Sequence, residues 1–254
     1  MEFKDKVIIV TGASEGVGKA TTKKLMAQGA IVYGVARRQE KLDALQKEME
    51  AENLPGKLHT LSVDVSNTDQ INNLFETIKQ NENRLDALVS NAGVMDDFQP
   101  VTEISAEEFS RIININLMGN FYLFQAAIPM LEKGGSIVVT ASIAGITGGK
   151  AGAAYTSSKH AVMGLVKNTA VMYASKGIRV NAVAPGGIMT PMTSEMDMEK
   201  VNQTGIAVIG NGAKIDKMMA TAEEIADNLV YLISDQASNI NGHILVSDAG
   251  LTEA

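Results

Sequence analysis

The chain has 254 residues, enough for one large α/β domain with a substantial core. Its 45% apolar and 20% charged content are ordinary for a soluble globular protein. A net charge of -7 and only 4% aromatic residues argue against nucleic acid as a partner, and the absence of cysteine excludes disulfides and thiolate chemistry.

The opening residues Met1 to Val7 carry no secretory apolar core, and no apolar run approaches the length of a membrane span, which predicts a cytoplasmic protein with no membrane partner. His59, His160 and His243 are scattered without ligand spacing, so no metal is expected.

Val7-Ile8-Ile9-Val10 is a short apolar run with polar flanks and reads as a buried parallel strand. Directly after it comes Thr11-Gly12-Ala13-Ser14-Glu15-Gly16-Val17-Gly18, then a helical pattern through Ala20, Leu25 and Met26 that stops at Gly29. Strand, glycine turn and helix start form the context of a nucleotide-phosphate site. Glycines allow a tight turn and close backbone approach, and the helix N-terminus offers free N–H groups and a positive dipole end. Gly12, Ser14, Gly16, Val17 and Gly18 are therefore candidate dinucleotide contacts, although the spacing is G-x-x-x-G-x-G and not the commoner G-x-G-x-x-G.

A second strand, Ile31 to Val35, runs into Ala36-Arg37-Arg38. An acidic residue at this strand end would bond the ribose hydroxyls of NAD, whereas a basic one accommodates the 2′-phosphate of NADP. With no acid here and two arginines, NADP(H) is favoured and NAD(H) is the alternative; Glu15 argues the other way by bringing a negative charge near the same phosphate. Gln39 to Glu52 reads as an exposed amphipathic helix.

Leu58 to Val63 is the third strand, followed by Asp64-Val65, where a carboxylate suits the adenine amino group or caps a helix starting near Asp69. The fourth strand, Leu85 to Val89, leads to Asn91-Ala92-Gly93, a turn bare enough for a flat ring to approach. Ser105-Ala106-Glu107-Glu108 is a capping box opening a helix with Phe109, Ile112, Ile113, Leu117 and Phe121 on one face. Asn114 and Asn116 are poor mid-helix residues, which points either to chemistry or to a local kink.

Ile137-Val138-Val139 marks the fifth strand and carries Ser142 just beyond its end. A glycine-rich loop follows, and Tyr155 and Lys159 open an Ala-rich helix reaching to about Ala174. Four residues make about one helical turn, so phenol and ammonium share a face. A cation there favours the phenolate and moves the phenol from its ordinary value of about 10 towards neutrality, as proton transfer at physiological pH requires.

Ile178 to Val183 is the sixth strand, ending at Pro185-Gly186-Gly187. From Met189 to Met219 regular pattern dissolves, with Met189, Met192, Met196, Met198, Met218 and Met219 spread among polar residues. Adaptable apolar side chains in a long irregular segment predict a substrate-covering lid over 189–219 and an apolar substrate. Thr221-Ala222-Glu223-Glu224 is a second capping box, and His243 to Ser247 makes a seventh strand. No linker or repeat interrupts the chain, so residues 1–254 are expected to form one domain with a parallel sheet flanked by helices.

Together these motifs resemble the short-chain dehydrogenase/reductase family from end to end: the Gly12/Gly16/Gly18 turn, Asn91-Ala92-Gly93, Asn116-Leu117-x-Gly119, Ser142, Tyr155-x-x-x-Lys159, and Pro185-Gly186 followed by Ile188 and Thr190. The resemblance implies a doubly wound Rossmann-like α/β fold with a seven-stranded sheet in the order 3-2-1-4-5-6-7. It further implies an NAD(P)(H)-dependent oxidoreductase that moves a hydride between nicotinamide and a carbonyl or secondary alcohol. Tyr155 is then the general acid/base, Ser142 orients the substrate oxygen, Lys159 also holds the cofactor ribose, and Asn116 supports a relay water. Pro185, Gly186, Ile188 and Thr190 hold the nicotinamide end. A homotetramer or homodimer packed through helices near 105–132 and 155–174 is expected. The alternatives are a 3-oxoacyl-thioester reductase of the same family, or a non-catalytic cofactor sensor; such sensors tend to lose the Tyr or Lys that this chain keeps.

Overall fold

The computed structural model describes residues 2–195, 197–209 and 219–253. Seven parallel strands build the main sheet: β1 (Val7–Thr11), β2 (Ile31–Ala36), β3 (Lys57–Ser62), β4 (Leu85–Ser90), β5 (Leu131–Thr140), β6 (Arg179–Pro185) and β9 (Ile244–Ser247). Their spatial order is β3-β2-β1-β4-β5-β6-β9, the predicted order once β7 (Gly187–Ile188) and β8 (Met219–Ala220), which pair only with each other, are set aside.

Alternation along the strands explains the layering, since successive side chains leave a strand on opposite faces. Val7 and Ile9 enter one core with Val35, Leu88, Ile137 and Val139. Ile8 and Val10 enter the other with Val32, Val89, Val138 and Val183. The first core is covered by α3 (Thr68–Asn81), α5 (Gly119–Ala127) and α6 (Ala153–Tyr173), the second by α1 (Gly16–Ala27), α2 (Gln39–Ala51) and α9 (Ala222–Ile233). Both faces of the inner strands are buried, which is why those strands read as apolar runs, whereas the edge strands β3 and β9 are partly exposed.

Local chemistry modifies several expectations. The α3 helix starts at Thr68 because Asn67, not Asp64, caps it by accepting from the Gln70 N–H. At α4 (Ala106–Ile113) only half of the capping box forms: Ser105 accepts from the Glu108 N–H, while the Glu108 carboxylate turns to a two-pronged pair with Arg111. The box at Thr221 forms completely. The helix after α4 is broken by a π-helical turn over Asn114–Met118, which leaves Asn114 exposed and Asn116 buried, and Phe121 is 40% exposed on the expected apolar face. Strand β5 begins at Leu131, ahead of the apolar run, through a register irregularity against β4.

The described residues of the 189–219 segment are more regular than their sequence suggests. It contains α7 (Pro191–Ser194), α8 (Gln203–Ile209) and the start of β8. Met189, Met192, Met198 and Met219 are exposed, whereas Met196 and Met218 lie outside the described residues.

Candidate active site

The loops beyond the C-terminal ends of the main-sheet strands enclose one cleft of about 530 Å³, where open parallel sheets hold their ligands. Of the sequence-assigned cofactor positions, Gly12, Ser14, Gly16, Val17, Arg37, Arg38, Asp64, Val65, Asn91, Ala92, Gly93, Pro185, Gly186, Ile188 and Thr190 line it. Ser142, Tyr155 and Lys159 line the same cleft. Gly18 and Asn116 stand behind its wall.

The wall needs its glycines. Gly12 has φ +65°, and a Cβ on it would lie 2.9 Å from Asn91 Nδ2. A Cβ on Gly18 would fall 2.1 Å from the Gly12 carbonyl oxygen, so this glycine lets α1 pack against the end of β1. The first turn of α1 has no side-chain cap and no acidic residue, which leaves its N-terminus suited to a phosphate. Bare backbone, a helix start and cations beyond β2 together fit a dinucleotide. At Asp64, Oδ1 already accepts from both the N–H and the hydroxyl of Ser66, an Asx turn that fixes the carboxylate beside the cleft.

On the opposite side, Ser142 and Tyr155 line the same cleft. Burial pushes the phenol up to about 12, with the Ser142 hydroxyl opposing and the negative charge of Asp96 adding to the rise. Lys159 is pushed down to about 8 by burial alone. Its Nζ donates to the Thr140 carbonyl at 2.8 Å and sits 5.4 Å from the centre of the Tyr155 ring. The expected lowering of Tyr155 by Lys159 is therefore not what dominates here: the ammonium is aimed at a carbonyl and loss of water outweighs it. The phenol keeps its proton and is a donor at neutral pH.

Asn116 is fully buried. Its side chain accepts from the Val94 N–H and donates to the Val94 carbonyl, both at 2.9 Å, and donates to Ser158 Oγ at 3.1 Å. Its carbonyl takes the Asn120 amide at 2.6 Å, and Asn120 Oδ1 is buried with no protein partner.

Sequence reasoning passed over three groups. Asp96, 2% exposed, accepts from the N–H groups of Gly152 at 3.0 Å, Phe98 at 3.2 Å and Tyr155 at 2.9 Å, and so fixes the start of the helix that carries Tyr155 and Lys159. A buried carboxylate is tolerated there because three N–H bonds and the helix dipole replace its water. Thr11 and Thr140 form a polar chain: Thr140 donates to Asn91 Oδ1, and Asn91 Nδ2 donates to the Thr11 carbonyl, linking the Lys159 anchor to the glycine turn. Lys41, with Arg38, holds the Glu15 carboxylate. The one sequence signal for Asp96 is its place just after the bare turn; the other two had none.

The family described as Enoyl-(Acyl carrier protein) reductase matches residues 12–252. A 3-oxoacyl-(acyl-carrier-protein) reductase of Thermotoga maritima is 38% identical over 253 residues, covering 99% of both chains. The chain belongs to the short-chain dehydrogenase/reductase family. It is an oxidoreductase of the kind that interconverts CH–OH and C=O groups with a nicotinamide dinucleotide. Among solved structures, a short-chain dehydrogenase from Mycobacterium paratuberculosis bound to NAD superposes with a TM-score of 0.92 at 28% identity, covering 100% of both chains. A Burkholderia cenocepacia short-chain dehydrogenase in complex with NADP gives 0.86 at 26% identity, covering 99% of this chain and 100% of that one. No described helix is long and apolar enough to cross a membrane.

Proposed function

We propose that this enzyme reduces a small, largely apolar carbonyl compound or oxidises the matching secondary alcohol, with NADP(H) favoured over NAD(H) and Tyr155 as the proton-transfer group. The observation that carries this reading is that Ser142, Tyr155 and Lys159 line one cleft whose far end bears the glycine turn and Arg37 and Arg38. Bound nicotinamide supplies or accepts the hydride. Ser142 orients the substrate oxygen, and Tyr155 gives it a proton in reduction or takes one in oxidation. Lys159, held by the Thr140 carbonyl, presents a cation to the cofactor ribose and to the phenol as charge develops. Asn116 ties the loop after β4 to α6. The relay water that resemblance assigns to it would find a polar site at Asn120 Oδ1.

Arg37 and Arg38 support NADP(H), since nothing acidic ends β2. Exposed Met192 at the cleft mouth supports an apolar substrate beneath a cover formed by 189–219, the whole working as one domain over 1–254. Exposed Phe121, Val171 and Met172 support a homodimer or homotetramer through the helices near 105–132 and 155–174. A cytoplasmic location agrees with the acidic composition. The Thermotoga relative favours a second reading, a 3-oxoacyl-thioester reductase.

The deciding experiment is Tyr155→Phe assayed with NADPH and NADH against a panel of ketones and 3-oxoacyl thioesters. Turnover is expected to drop about 10²–10⁴-fold while dinucleotide affinity holds. Near-normal turnover removes the proposal, and the panel chooses between the two substrate classes.

A further inference from the structure

Acidic side chains gather where the cleft passes Tyr155. Asp97 lines it from the loop after β4, next to the Asp96 that holds the Tyr155 N–H. Glu195, at the C-cap of α7, and Asp197 line it from the covering segment. The Asn202 N–H donates to the Asp97 carbonyl at 2.8 Å, which brings that segment against the loop after β4. Among the described residues, Lys159 is the one cation lining this end, and its Nζ is committed to the Thr140 carbonyl.

The surroundings do little to neutralise these carboxylates. Among the described residues, the Asp97 and Glu195 side chains accept no hydrogen bond and form no ion pair. Arg111 feels the charge of Asp97, but its guanidinium is closed on Glu108 by two bonds of 2.7 Å. Asp197 has a partner, Lys200 at 3.0 Å, whose side chain is 72% exposed. The wall here is otherwise apolar, with Met95, Ile115, Ile188 and Met192. Charges of one sign in a cleft with apolar walls reinforce one another, because the walls screen poorly.

We propose that Asp97 and Glu195 are specificity-determining residues that reject anions, so that the substrate is a carbonyl compound or alcohol with no carboxylate or phosphate near the reacting carbon. The inference rests on the reading of this cleft as a carbonyl/alcohol site and adds the charge of the substrate to it. An anionic group entering here would leave water, meet two unpaired carboxylates and find no free cation to receive it. A neutral group faces none of these costs, and an ammonium group is drawn in. Because the segment around Asp197 is at the surface, the discrimination is moderate and screened by salt.

The test is steady-state reduction, with NADPH or NADH, of three ketones of one length that end in a carboxylate, a methyl ester or an ammonium group. At low salt, kcat/KM for the carboxylate should lie about tenfold below that for the ester, with the ammonium ketone close to the ester. In the double variant Asp97→Asn/Glu195→Gln the carboxylate-to-ester ratio should rise about threefold, mainly through KM, and high salt should raise it in wild type. A ratio unmoved by the double variant overturns the proposal. So does an ammonium ketone rejected as strongly as the carboxylate, which would trace the loss to removal of any charge from water. Wild type inactive on all three ketones would bring down the functional reading itself; wild type that reduces ester and carboxylate equally well would bring down this inference alone.

Discussion

The two ends of the cleft are made differently. At the dinucleotide end, the wall is backbone fixed by the sheet: Gly12 and Gly18 leave room for nothing larger, and β1, β2 and β4 pair residue by residue beneath them. Near the other end, the loop after β4 is clasped to the segment that leads into α8. Asn202 donates its N–H to the Asp97 carbonyl at 2.8 Å and its amide to Glu103 at 2.7 Å, and Gly205 lies so close to Phe98 that a Cβ would stand 1.8 Å from the Phe98 oxygen. One end depends on many cooperative strand contacts, the other on a few polar contacts that can part and re-form. A family can therefore keep its cofactor end while its substrate end diverges.

The largest expected effect separating the two ends is pH dependence. Tyr155 is pushed up to about 12, so the protonated phenol needed for reduction persists through neutrality and the phenolate needed for oxidation is scarce. Alcohol oxidation should rise about tenfold per pH unit up to about pH 8, where the Lys159 cation begins to be lost, while carbonyl reduction stays level below that pH. Parallel pH profiles of kcat/KM in both directions check this, and a level oxidation profile would remove Tyr155 as the base.

A smaller effect should follow from Asp96→Asn, which keeps the shape but offers one acceptor oxygen to three N–H groups. Leaving a buried N–H unpaired costs about 1–3 kcal/mol, visible as a lower Tm. Removal of a negative charge that holds the phenol up should also raise alcohol oxidation at neutral pH. A Tm change with no such rise would make Asp96 a purely structural anchor.

The smallest effect is reserved for the clasp. Gly205→Ala should lift α8 from Phe98 and raise substrate KM a few-fold, with NADP+ and NAD+ affinity unchanged. If dinucleotide affinity fell equally, the two ends of the cleft would be mechanically one.

Most of the fold was legible because parallel strands buried on both faces must be apolar runs, and because a tight βα turn over a phosphate requires glycine at fixed spacings. Val7–Thr11, Ile31–Ala36 and Leu85–Ser90 were readable for that reason, as were the positions of Tyr155 and Lys159 one turn apart. The 189–219 segment was readable only as an absence of pattern, since short helices docked by single polar contacts leave no period to detect.

Local spacing alone fixed the apolar strand runs, the glycine cradle and the placement of Tyr155 and Lys159 one helical turn apart, while the strand order came from resemblance. Tertiary structure alone decided which groups face one another across long separations: Asp96 under the Tyr155 backbone, Thr140 beneath Lys159, and Arg38 and Lys41 closed on Glu15. The physical reason is that charge and hydrogen-bond partners are chosen by distance in space. A carboxylate's state depends on what the fold brings within a few ångströms, and no periodicity along the chain encodes that.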